Sequence, residues 1–409
     1  METEIAFASL LPLLVAVGAF VVAYLVIPVI IDVSHLKHLF DDPTDDRKLH
    51  VSAIPNLGGV GIFAAVIISF LLSGYAFQPW LPYLSSGLII LLFSGIKDDL
   101  LVIAPNKKLL LQITAIVAVM AGGNMVITDM GGMFGVHEIP SWAGIGLTFF
   151  TMVVVINAYN LIDGIDGLAG GIGIIASSFF AWWFWEAGMM SHAVLALTLV
   201  GALAAFMRYN FQPASIFMGD TGSQVVGHLL AFFAVSFVNA GIAKAAVPFK
   251  NAVPVLVLSV LIVPLYDTLR VFLIRAVREQ KSPFSADRLH VHHQLIDMGF
   301  SHRTSCFLIF GFNLTIVGIT LLLSGLEVNL LFATVLGASV ILFPTVRLKR
   351  KALDKLGVDT PSKREIQVLE MKFGTPPKTV VKNGNGFSNG SSFSEEDVDK
   401  KEKVEELAV

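Results

Sequence analysis

Residues 157–185 read NAYNLIDGIDGLAGGIGIIASSFFAWWFW and combine two features that recur along this chain. The first part is polar, with Asn and Asp beside several glycines, and the second part is an apolar run without a charged residue. A run of about 20 apolar residues is what a helix needs to cross a bilayer core of about 30 Å. The stretch therefore predicts a membrane-spanning helix that follows a polar loop at the membrane border.

The composition of the whole chain agrees with this interpretation. Of the 409 residues, 55% are hydrophobic and only 14% are charged, and the mean hydropathy is +0.75. So few charged residues cannot cover the surface of a soluble protein of this length. The single cysteine, Cys306, excludes an intrachain disulfide. We expect membrane lipids around the chain and no nucleic-acid partner.

Eleven apolar runs predict an all-α polytopic membrane protein with about eleven transmembrane helices. Because several runs are short, a count of ten is the alternative. The first run is too long for a signal-peptide core and has an acidic flank, so we expect it to be retained. The runs are 5–31, 57–72, 84–96, 109–121, 142–156, 168–185, 193–207, 225–238, 253–274, 306–323 and 329–343.

The positions of Lys and Arg predict the orientation of the chain. With eleven spans, one set of loops carries nearly all of these residues, whereas the other set holds only Lys244 and Lys250. Positive charges are retained on the cytoplasmic side of short loops. The N-terminus is therefore expected outside and the C-terminus in the cytoplasm. The glycine-rich residues 126–140 then fall on the outer face, where they predict a small hairpin.

Three parts are predicted along the chain. Residues 1–345 are expected to form the transmembrane catalytic domain. Residues 346–375 form a basic, partly helical cytoplasmic segment, in which RLKRK at 347–351 is expected to lie against anionic lipid headgroups. Residues 376–409 are polar and low in complexity, which predicts a disordered cytoplasmic tail.

Acidic and amide side chains gather at the predicted cytoplasmic helix ends. Asp98 and Asp99 in GIKDDL are adjacent carboxylates, whose mutual repulsion a divalent cation would offset. A solvated helix end is the alternative for this pair. Asn160, Asp163 and Asp166 are spaced by three, so on a helix or a tight turn their oxygens would line one face. Helix capping could account for any one of these acids.

A further acid, Asp220, lies in FMGDTGS directly before an apolar run. This stretch has a carboxylate, two hydroxyls and backbone amides at a predicted helix N-terminus, which favours a phosphate and Mg²⁺ site. An N-cap alone is the alternative. No GKS or GKT follows, so the stretch is not a P-loop.

Histidines and basic residues occupy two other loops on the same predicted face, 40–59 and 285–303, and the basic trio of the first, Arg47, Lys48 and His50, fits an anionic ligand. The loop SADRLHVHHQLIDMGFSHR contains closely set imidazoles that could bind Zn²⁺, act as acid or base, or donate to phosphate oxygens. Zinc is the weaker option because no cysteine is close in sequence and the Asp and Arg residues suit Mg²⁺ and phosphate. The residues predicted to bind substrate are Arg47, Lys48, His50, Asn56, Lys108, Asn160, Arg288, His290, His292 and His293.

Five motifs in this order resemble the polyprenyl-phosphate N-acetylhexosamine-1-phosphate transferase family. The motifs are DPTDDRKLH with IPNLGG, GIKDDL with KLLLQ, NLIDGIDGLAGG, FMGDTGS, and DRLHVHH with GFSHR. Among family members, the sequence is more similar to the undecaprenyl-phosphate N-acetylglucosamine-1-phosphate transferases than to the phospho-N-acetylmuramoyl-pentapeptide transferases. The latter carry three consecutive histidines, whereas Val291 interrupts them here.

The resemblance implies an enzyme of the bacterial cytoplasmic (inner) membrane with its active site facing the cytoplasm. It would transfer N-acetylglucosamine 1-phosphate from a UDP-N-acetylhexosamine to undecaprenyl phosphate and release UMP, as the first membrane step of cell wall, lipopolysaccharide or another surface polysaccharide. A UDP-N-acetylmuramoyl-pentapeptide donor is one alternative. A secondary transporter is another, which the one-sided acids and the absence of a visible repeat disfavour. The resemblance also implies a homodimer.

The resemblance implies roles for the acids as well. Asp220, Asp99 and Asn160 would ligate Mg²⁺, for which Mn²⁺ is the substitute. Asp98, Asp99, Asp163 and Asp166 would be the catalytic acids. One of the pair Asp98 and Asp99 would either assist deprotonation of the lipid phosphate or steer the metal and the acceptor, and sequence leaves both roles open.

Overall fold

The computed structural model describes residues 2–39, 54–123, 125–244, 247–279 and 290–342. The predicted segments 346–375 and 376–409 lie outside the described residues, as do Arg47, Lys48, His50 and Arg288. Thirteen α-helices are found within the described ranges. They are α1 (Glu2–Lys37), α2 (Gly58–Leu72), α3 (Leu81–Leu101), α4 (Pro105–Gly123), α5 (Ser141–Leu161), α6 (Leu168–Glu186), α7 (Met190–Asn210), α8 (Gly219–Ala243), α9 (Val253–Val260), α10 (Ile262–Leu273), α11 (Val291–Asp297), α12 (His302–Leu322) and α13 (Val328–Leu342).

The helices confirm a polytopic membrane protein. Six described helices are long and apolar enough to cross a membrane, and a bent pair of helices makes a seventh if it counts as one span. Gly58–Leu72 and Val328–Ile341 are shorter apolar helices. Large apolar side chains such as Leu13, Val17 and Leu25 of α1 are exposed, which suits a surface that faces lipid.

The predicted span at 253–274 is broken, because the chain bends by 64° between α9 and α10. Pro264 lacks the N–H that would bond to the carbonyl of Val260 in a continuous helix. Asn313 of α12 supplies the missing donor: its Nδ2 lies 3.1 Å from the carbonyl oxygen of Ser259 and 3.3 Å from that of Val260. The break is therefore stabilised by a side chain from a neighbouring helix.

Helix α8 is the centre of the bundle. Every residue from Thr221 to Val238 is buried, and α8 packs against α2, α3 and α5. Apolar side chains gain little by leaving lipid for protein, so close packing of small residues holds such helices together. Gly59 of α2 illustrates this, since a Cβ there would lie 2.0 Å from the backbone nitrogen of Gly222.

The polar helix ends meet at one end of the bundle. Side-chain contacts join the end of α3, the start of α4, the end of α5 and the start of α8. The start of α6 joins them through the end of α7, where Asn210 Oδ1 accepts a 2.9 Å hydrogen bond from the backbone N–H of Gly167. These termini carry most of the polar motifs of the sequence, so the fold brings separate motifs into one region.

The predicted hairpin at 126–140 is present. An antiparallel bridge joins Asp129 to Glu138, and the backbone N–H of Ile139 donates to the carbonyl of Thr128 over 2.9 Å. A 3₁₀ turn at Met133–Gly135 closes the loop. Asn329 of α13 accepts a 2.6 Å hydrogen bond from the backbone of Phe134. The hairpin is thus docked on α13, and its location on the outer face stays a prediction.

Candidate active site

Two motifs that are far apart in sequence are joined by backbone hydrogen bonds at the start of α8. The N–H of Phe217 donates to the carbonyl of Pro55 over 2.8 Å, and the N–H of Gly58 donates to the carbonyl of Phe217 over 3.0 Å. Gly219 has a positive φ of 70°, and a Cβ at this position would lie 2.0 Å from the carbonyl oxygen of Asn56. Only glycine fits there. IPNLGG and FMGDTGS therefore form one structural unit, which places Asn56 beside Asp220.

Asp99 caps the N-terminus of α8. Its Oδ1 accepts a 2.8 Å hydrogen bond from the backbone N–H of Asp220, and its Oδ2 accepts from the N–H and the hydroxyl of Thr221 at 3.0 and 2.6 Å. The first N–H groups of a helix have no partner within the helix, and a carboxylate also interacts favourably with the helix dipole. Asp99 therefore fixes where α8 begins relative to α3.

Lys108 links the other acid of the pair to α8. Its Nζ lies 2.9 Å from Asp98 Oδ2 and 2.8 Å from Asp220 Oδ1. The remaining oxygen of Asp98 accepts a 2.6 Å hydrogen bond from the backbone of Ile103. One ammonium group thus holds together two carboxylates that would otherwise repel each other.

Asn160 approaches the same carboxylate from α5. Its Nδ2 donates to Asp220 Oδ1 over 2.5 Å and to Ser223 Oγ over 2.7 Å. Ser223 in turn donates to the carbonyl of Gly219 over 3.0 Å. Asp220 consequently receives donors from α4 and from α5, and its position is defined by both helices.

Asp163 lies in the loop 162–167 between α5 and α6. It accepts a hydrogen bond from the backbone of Gly219, and burial together with the nearby carboxylates of Asp220, Asp99 and Asp166 raises its pKa to about 7. This shift in the pKa reflects burial first and then the concentration of negative charge. We use the term carboxylate cluster for Asp98, Asp99, Asp163, Asp220 and Lys108.

Asp166 points towards a different helix. The spacing of Asn160, Asp163 and Asp166 predicts a common face on a helix or tight turn, but α5 ends at Leu161 and helical periodicity ends with it. Asp166 is 5% exposed, and its Oδ1 lies 3.5 Å from His302 Nδ1 at the start of α12. The three side chains therefore do not share one face, although they surround one loop.

The histidines lie on the other side of this loop. The rings of His290 and His292 stack with centroids 5.7 Å apart, and His293 lies 4.3 Å from His292. A Cβ on Gly164 would come within 2.1 Å of His292 Nε2, so the ring rests directly on the loop backbone. Burial, and then the proximity of His293, lowers the pKa of His292 to about 3.

Asp267 of α10 is a functional candidate that the sequence analysis missed. It is 2% exposed, and its Oδ2 lies 2.8 Å from His290 Nδ1. The available signal was an acidic residue within a predicted apolar span, since ionisable residues within membrane segments are usually paired and functional. We use the term histidine cluster for Asp267, His290, His292 and His293.

The carboxylate cluster has the donor chemistry of a hard cation. The cluster contains four carboxylates and one ammonium group, which contacts Asp98 and Asp220, so negative charge is in excess, and oxygen ligands are those that Mg²⁺ prefers. Within the described ranges, no three His, Cys, Asp or Glu side chains are already arranged as a metal site. The residues present thus fit Mg²⁺ in chemistry and charge, and Lys108 already supplies part of the compensation.

The comparison with protein families is consistent with this arrangement. The family model of glycosyl transferase family 4 matches residues 81–238. This range runs from the start of α3 to most of α8 and contains every member of the carboxylate cluster. The histidine cluster lies beyond its end.

Curated relatives extend the similarity to longer parts of the chain. A Bacillus subtilis protein, named as a probable undecaprenyl-phosphate N-acetylglucosaminyl 1-phosphate transferase, is 34% identical over 68% of this chain and 76% of its own length. The undecaprenyl-phosphate α-N-acetylglucosaminyl 1-phosphate transferase of Yersinia pestis is 30% identical over 66% and 72%. The decaprenyl-phosphate N-acetylglucosaminephosphotransferase of Mycolicibacterium smegmatis is 32% identical over 65% and 70%. With this identity and coverage, the chain belongs to glycosyl transferase family 4.

Proposed function

We propose that this protein transfers N-acetylglucosamine 1-phosphate from UDP-N-acetylglucosamine to undecaprenyl phosphate and releases UMP. The observation that carries the proposal is the carboxylate cluster, in which acids from three motifs converge at polar helix ends of a membrane bundle. The names of the relatives agree with this activity. Such a cluster suits a reaction in which two phosphorylated substrates must be brought together.

The reaction exchanges one phosphoryl acceptor for another. An oxygen of the lipid phosphate forms a bond to the β-phosphorus of the donor, and the bond from this phosphorus to the oxygen bridging it to UMP breaks. The electron pair leaves with UMP, and the sugar phosphate remains on the lipid as a diphosphate. Positioning of the two phosphates in line and electrostatic stabilisation together contribute most of the rate enhancement in such transfers.

The proposed ligands for Mg²⁺ are Asp220, Asp99 and Asn160. When bound, Mg²⁺, or Mn²⁺ in its place, would neutralise the diphosphate and stabilise the charge on the leaving UMP. Oδ1 of Asp99 keeps a lone pair beyond its hydrogen bond to α8, whereas Oδ2 accepts two hydrogen bonds from Thr221. Lys108 holds Asp220 towards Asp98.

The remaining acids are proposed to act on the acceptor and the donor. Asp98 and Asp99 would accept the proton of the lipid phosphate or steer it towards the donor. Asp163 and Asp166 would shape the nucleotide side of the loop 162–167. The substrate-binding set is proposed to consist of Arg47, Lys48, His50, Asn56, Lys108, Asn160, Arg288, His290, His292 and His293.

We also propose eleven spans in the bacterial cytoplasmic membrane, with the N-terminus outside and both clusters facing the cytoplasm. Lys37, Lys107 and Arg208 lie at helix ends on the side of the clusters, and retained positive charges mark the cytoplasmic side. The reaction would be the first membrane step of a surface polysaccharide, and the enzyme would be a homodimer.

The decisive experiment measures UMP release and lipid diphosphate formation from labelled UDP-N-acetylglucosamine by the purified protein. We expect product only with undecaprenyl phosphate and Mg²⁺, and a loss of at least about a thousandfold in Asp220→Asn. Glu186→Gln removes an equal charge at the exposed far end of α6 and should leave the rate unchanged. A folded wild type that makes no product from any UDP-N-acetylhexosamine would refute the proposal.

A further inference from the structure

Asp267 is a buried carboxylate in an apolar helix, and its environment accounts for its charge. Apart from His290, the backbone N–H of Val291 donates to its Oδ1 over 3.1 Å, and Arg270 Nη2 lies 3.1 Å from the same oxygen. A buried carboxylate is tolerated only when such donors replace the lost water. The His290 ring, the Val291 N–H and the Arg270 guanidinium therefore converge on Asp267.

These contacts determine how α11 is attached to the bundle. His290 occupies the N-cap position of α11, and Val291 is the first helical residue. A single carboxylate of α10 therefore holds both the backbone and the ring at the start of α11. Asp267 and His290 are 23 positions apart in the sequence, so this contact joins two separate helices.

The same contact decides which nitrogen of His290 carries hydrogen. A carboxylate only accepts hydrogen bonds, so Nδ1 of His290 must be the donor. Nε2 is then the nitrogen that can face a ligand, and it donates to a phosphate oxygen when the ring is the doubly protonated imidazolium, whose charge the Asp267 carboxylate balances. A partner of this kind fixes both the tautomer and the ring orientation of a functional histidine.

The fixed ring transmits its position to the loop of the carboxylate cluster. His290 stacks on His292 with an interplanar angle of 9°, and His292 rests on the backbone of Gly164. Contacts therefore run from Asp267 through His290 and His292 to Gly164. Gly164 lies between Asp163 and Asp166 in the sequence.

We propose that Asp267 is a positioning residue that orients His290 Nε2 towards the diphosphate of the nucleotide-sugar donor. This inference rests on the proposed transferase function and adds to it a residue outside the recognised motifs. Asp267 itself does not touch the substrate. Its proposed effect on turnover passes through the position of the His290 ring.

The test is a double-mutant cycle on full-length purified protein, with kcat and KM for UDP-N-acetylglucosamine as readouts. Asp267→Asn should lower kcat/KM by about 10- to 100-fold, as loss of such an outer partner does. In a His290→Gln background, Asp267→Asn should cause no further loss. Thr268→Val, a near-isosteric change at a neighbouring buried residue of α10, should leave both constants unchanged.

A second variant keeps the test decisive if Asp267→Asn does not fold. Asp267→Glu retains the charge beside Arg270 but displaces the carboxylate from His290, so it should lose turnover while its melting temperature stays near that of the wild type. Multiplicative losses in the double variant would overturn the inference. Loss of folding in both Asp267 variants would assign the residue to stability and overturn it as well. An inactive wild type would instead refute the transferase function, and the inference with it.

Discussion

The carboxylate cluster and the histidine cluster contact the same loop, 162–167, but they are held in opposite ways. The first contains four acids and one lysine, and backbone groups at helix ends hold its acids. The second is balanced internally, because Asp267 is paired with His290 and Arg270. The first cluster therefore needs a further cation, whereas the second does not.

This difference indicates how each cluster should respond to its surroundings. Excess carboxylate charge makes the stability of the first cluster sensitive to divalent cations. Buried imidazoles make the stability of the second sensitive to acid. Both clusters contact the loop 162–167, and substitutions at single residues can change the response of one cluster without that of the other.

Among the changes that separate the two clusters, the largest effect is expected from Gly164→Ala, which disrupts the contact between them. The new Cβ would lie 2.1 Å from His292 Nε2, a distance that requires the ring or the loop to move. Because a displacement of about 1 Å near reacting groups can cost about a hundredfold, we expect kcat/KM for UMP release to fall by at least about that factor.

Gly146→Ala is the matched control for this prediction. Gly146 lies on α5, and a Cβ there would meet no atom within 4 Å. The kcat/KM of Gly146→Ala for UMP release should equal that of the wild type. If Gly164→Ala is also fully active, the contact between His292 and the loop has no role in turnover, and the clusters act independently.

The next effect concerns Lys108 and the demand for a cation. Lys108→Met leaves Asp98 and Asp220 without the ammonium group between them. In EDTA we expect a loss of about 2 kcal/mol in the free energy of unfolding, below the cost for fully buried pairs because these groups are partly exposed. Thermal melting with increasing Mg²⁺ should recover part of this loss.

Lys107→Met is the control, because Lys107 is the adjacent lysine and is exposed. Its melting temperature should match the wild type in EDTA and in Mg²⁺. A Lys108→Met protein that melts like the wild type in EDTA would contradict the view that one ammonium group compensates the cluster.

Much of the carboxylate cluster was predictable from sequence, but its connections were not. Asp98, Asp99, Asp163 and Asp220 stand out as acids at the ends of apolar runs. No local pattern indicates that Asp99 caps a helix through Asp220, which lies 121 residues later in the sequence. Such contacts depend on tertiary packing, which composition and periodicity do not specify.

The fold shows the same limit. Apolar run length predicted where the helices lie, because the bilayer sets that length. It missed the break at Leu261, although Pro264 was a visible signal, because the run remains apolar through the bend. The sequence analysis did not single out Asp267, because this residue lies within the predicted span 253–274.

The third prediction concerns acid and the histidine cluster. His292 is 2% exposed, and its pKa is lowered to about 3 by burial and by His293, His290 and His302, against a raising effect of Asp267. In the unfolded chain His292 binds a proton near pH 6.5, whereas in the folded protein it stays neutral. The free energy of unfolding therefore falls as the pH drops below 6.5. His292 should therefore make the free energy of unfolding about 1.4 kcal/mol lower at pH 5.5 than at pH 7.5.

Melting temperatures at the two pH values provide the measurement. His292→Asn should show a smaller decrease between pH 7.5 and 5.5 than the wild type. His137→Asn, at an exposed hairpin position, should show the wild-type decrease. An unchanged pH dependence in His292→Asn would mean that the imidazole is not held neutral, and would remove this contrast between the clusters.

The smallest effect is expected for the cap of α8. In Asp99→Asn one side-chain oxygen remains, but the amide group that replaces the other oxygen cannot accept from Thr221. Loss of a cap costs about 1 kcal/mol, so thermal melting in EDTA should detect a decrease of that order. Amide hydrogen exchange at Thr221 should become faster, because this N–H group loses its acceptor.

Ser301→Ala tests whether faster exchange at the start of α8 follows the loss of any helix cap or only the loss of the Asp99 cap. Ser301 caps α12 locally by accepting from the N–H of Thr304 over 3.2 Å, so its loss should also cost about 1 kcal/mol at most. Exchange at Thr221 should then stay as in the wild type. Equal exchange rates in both variants would show that Asp99 does not hold the start of α8, and that the carboxylate cluster, like the histidine cluster, is fixed by its own side-chain pairs.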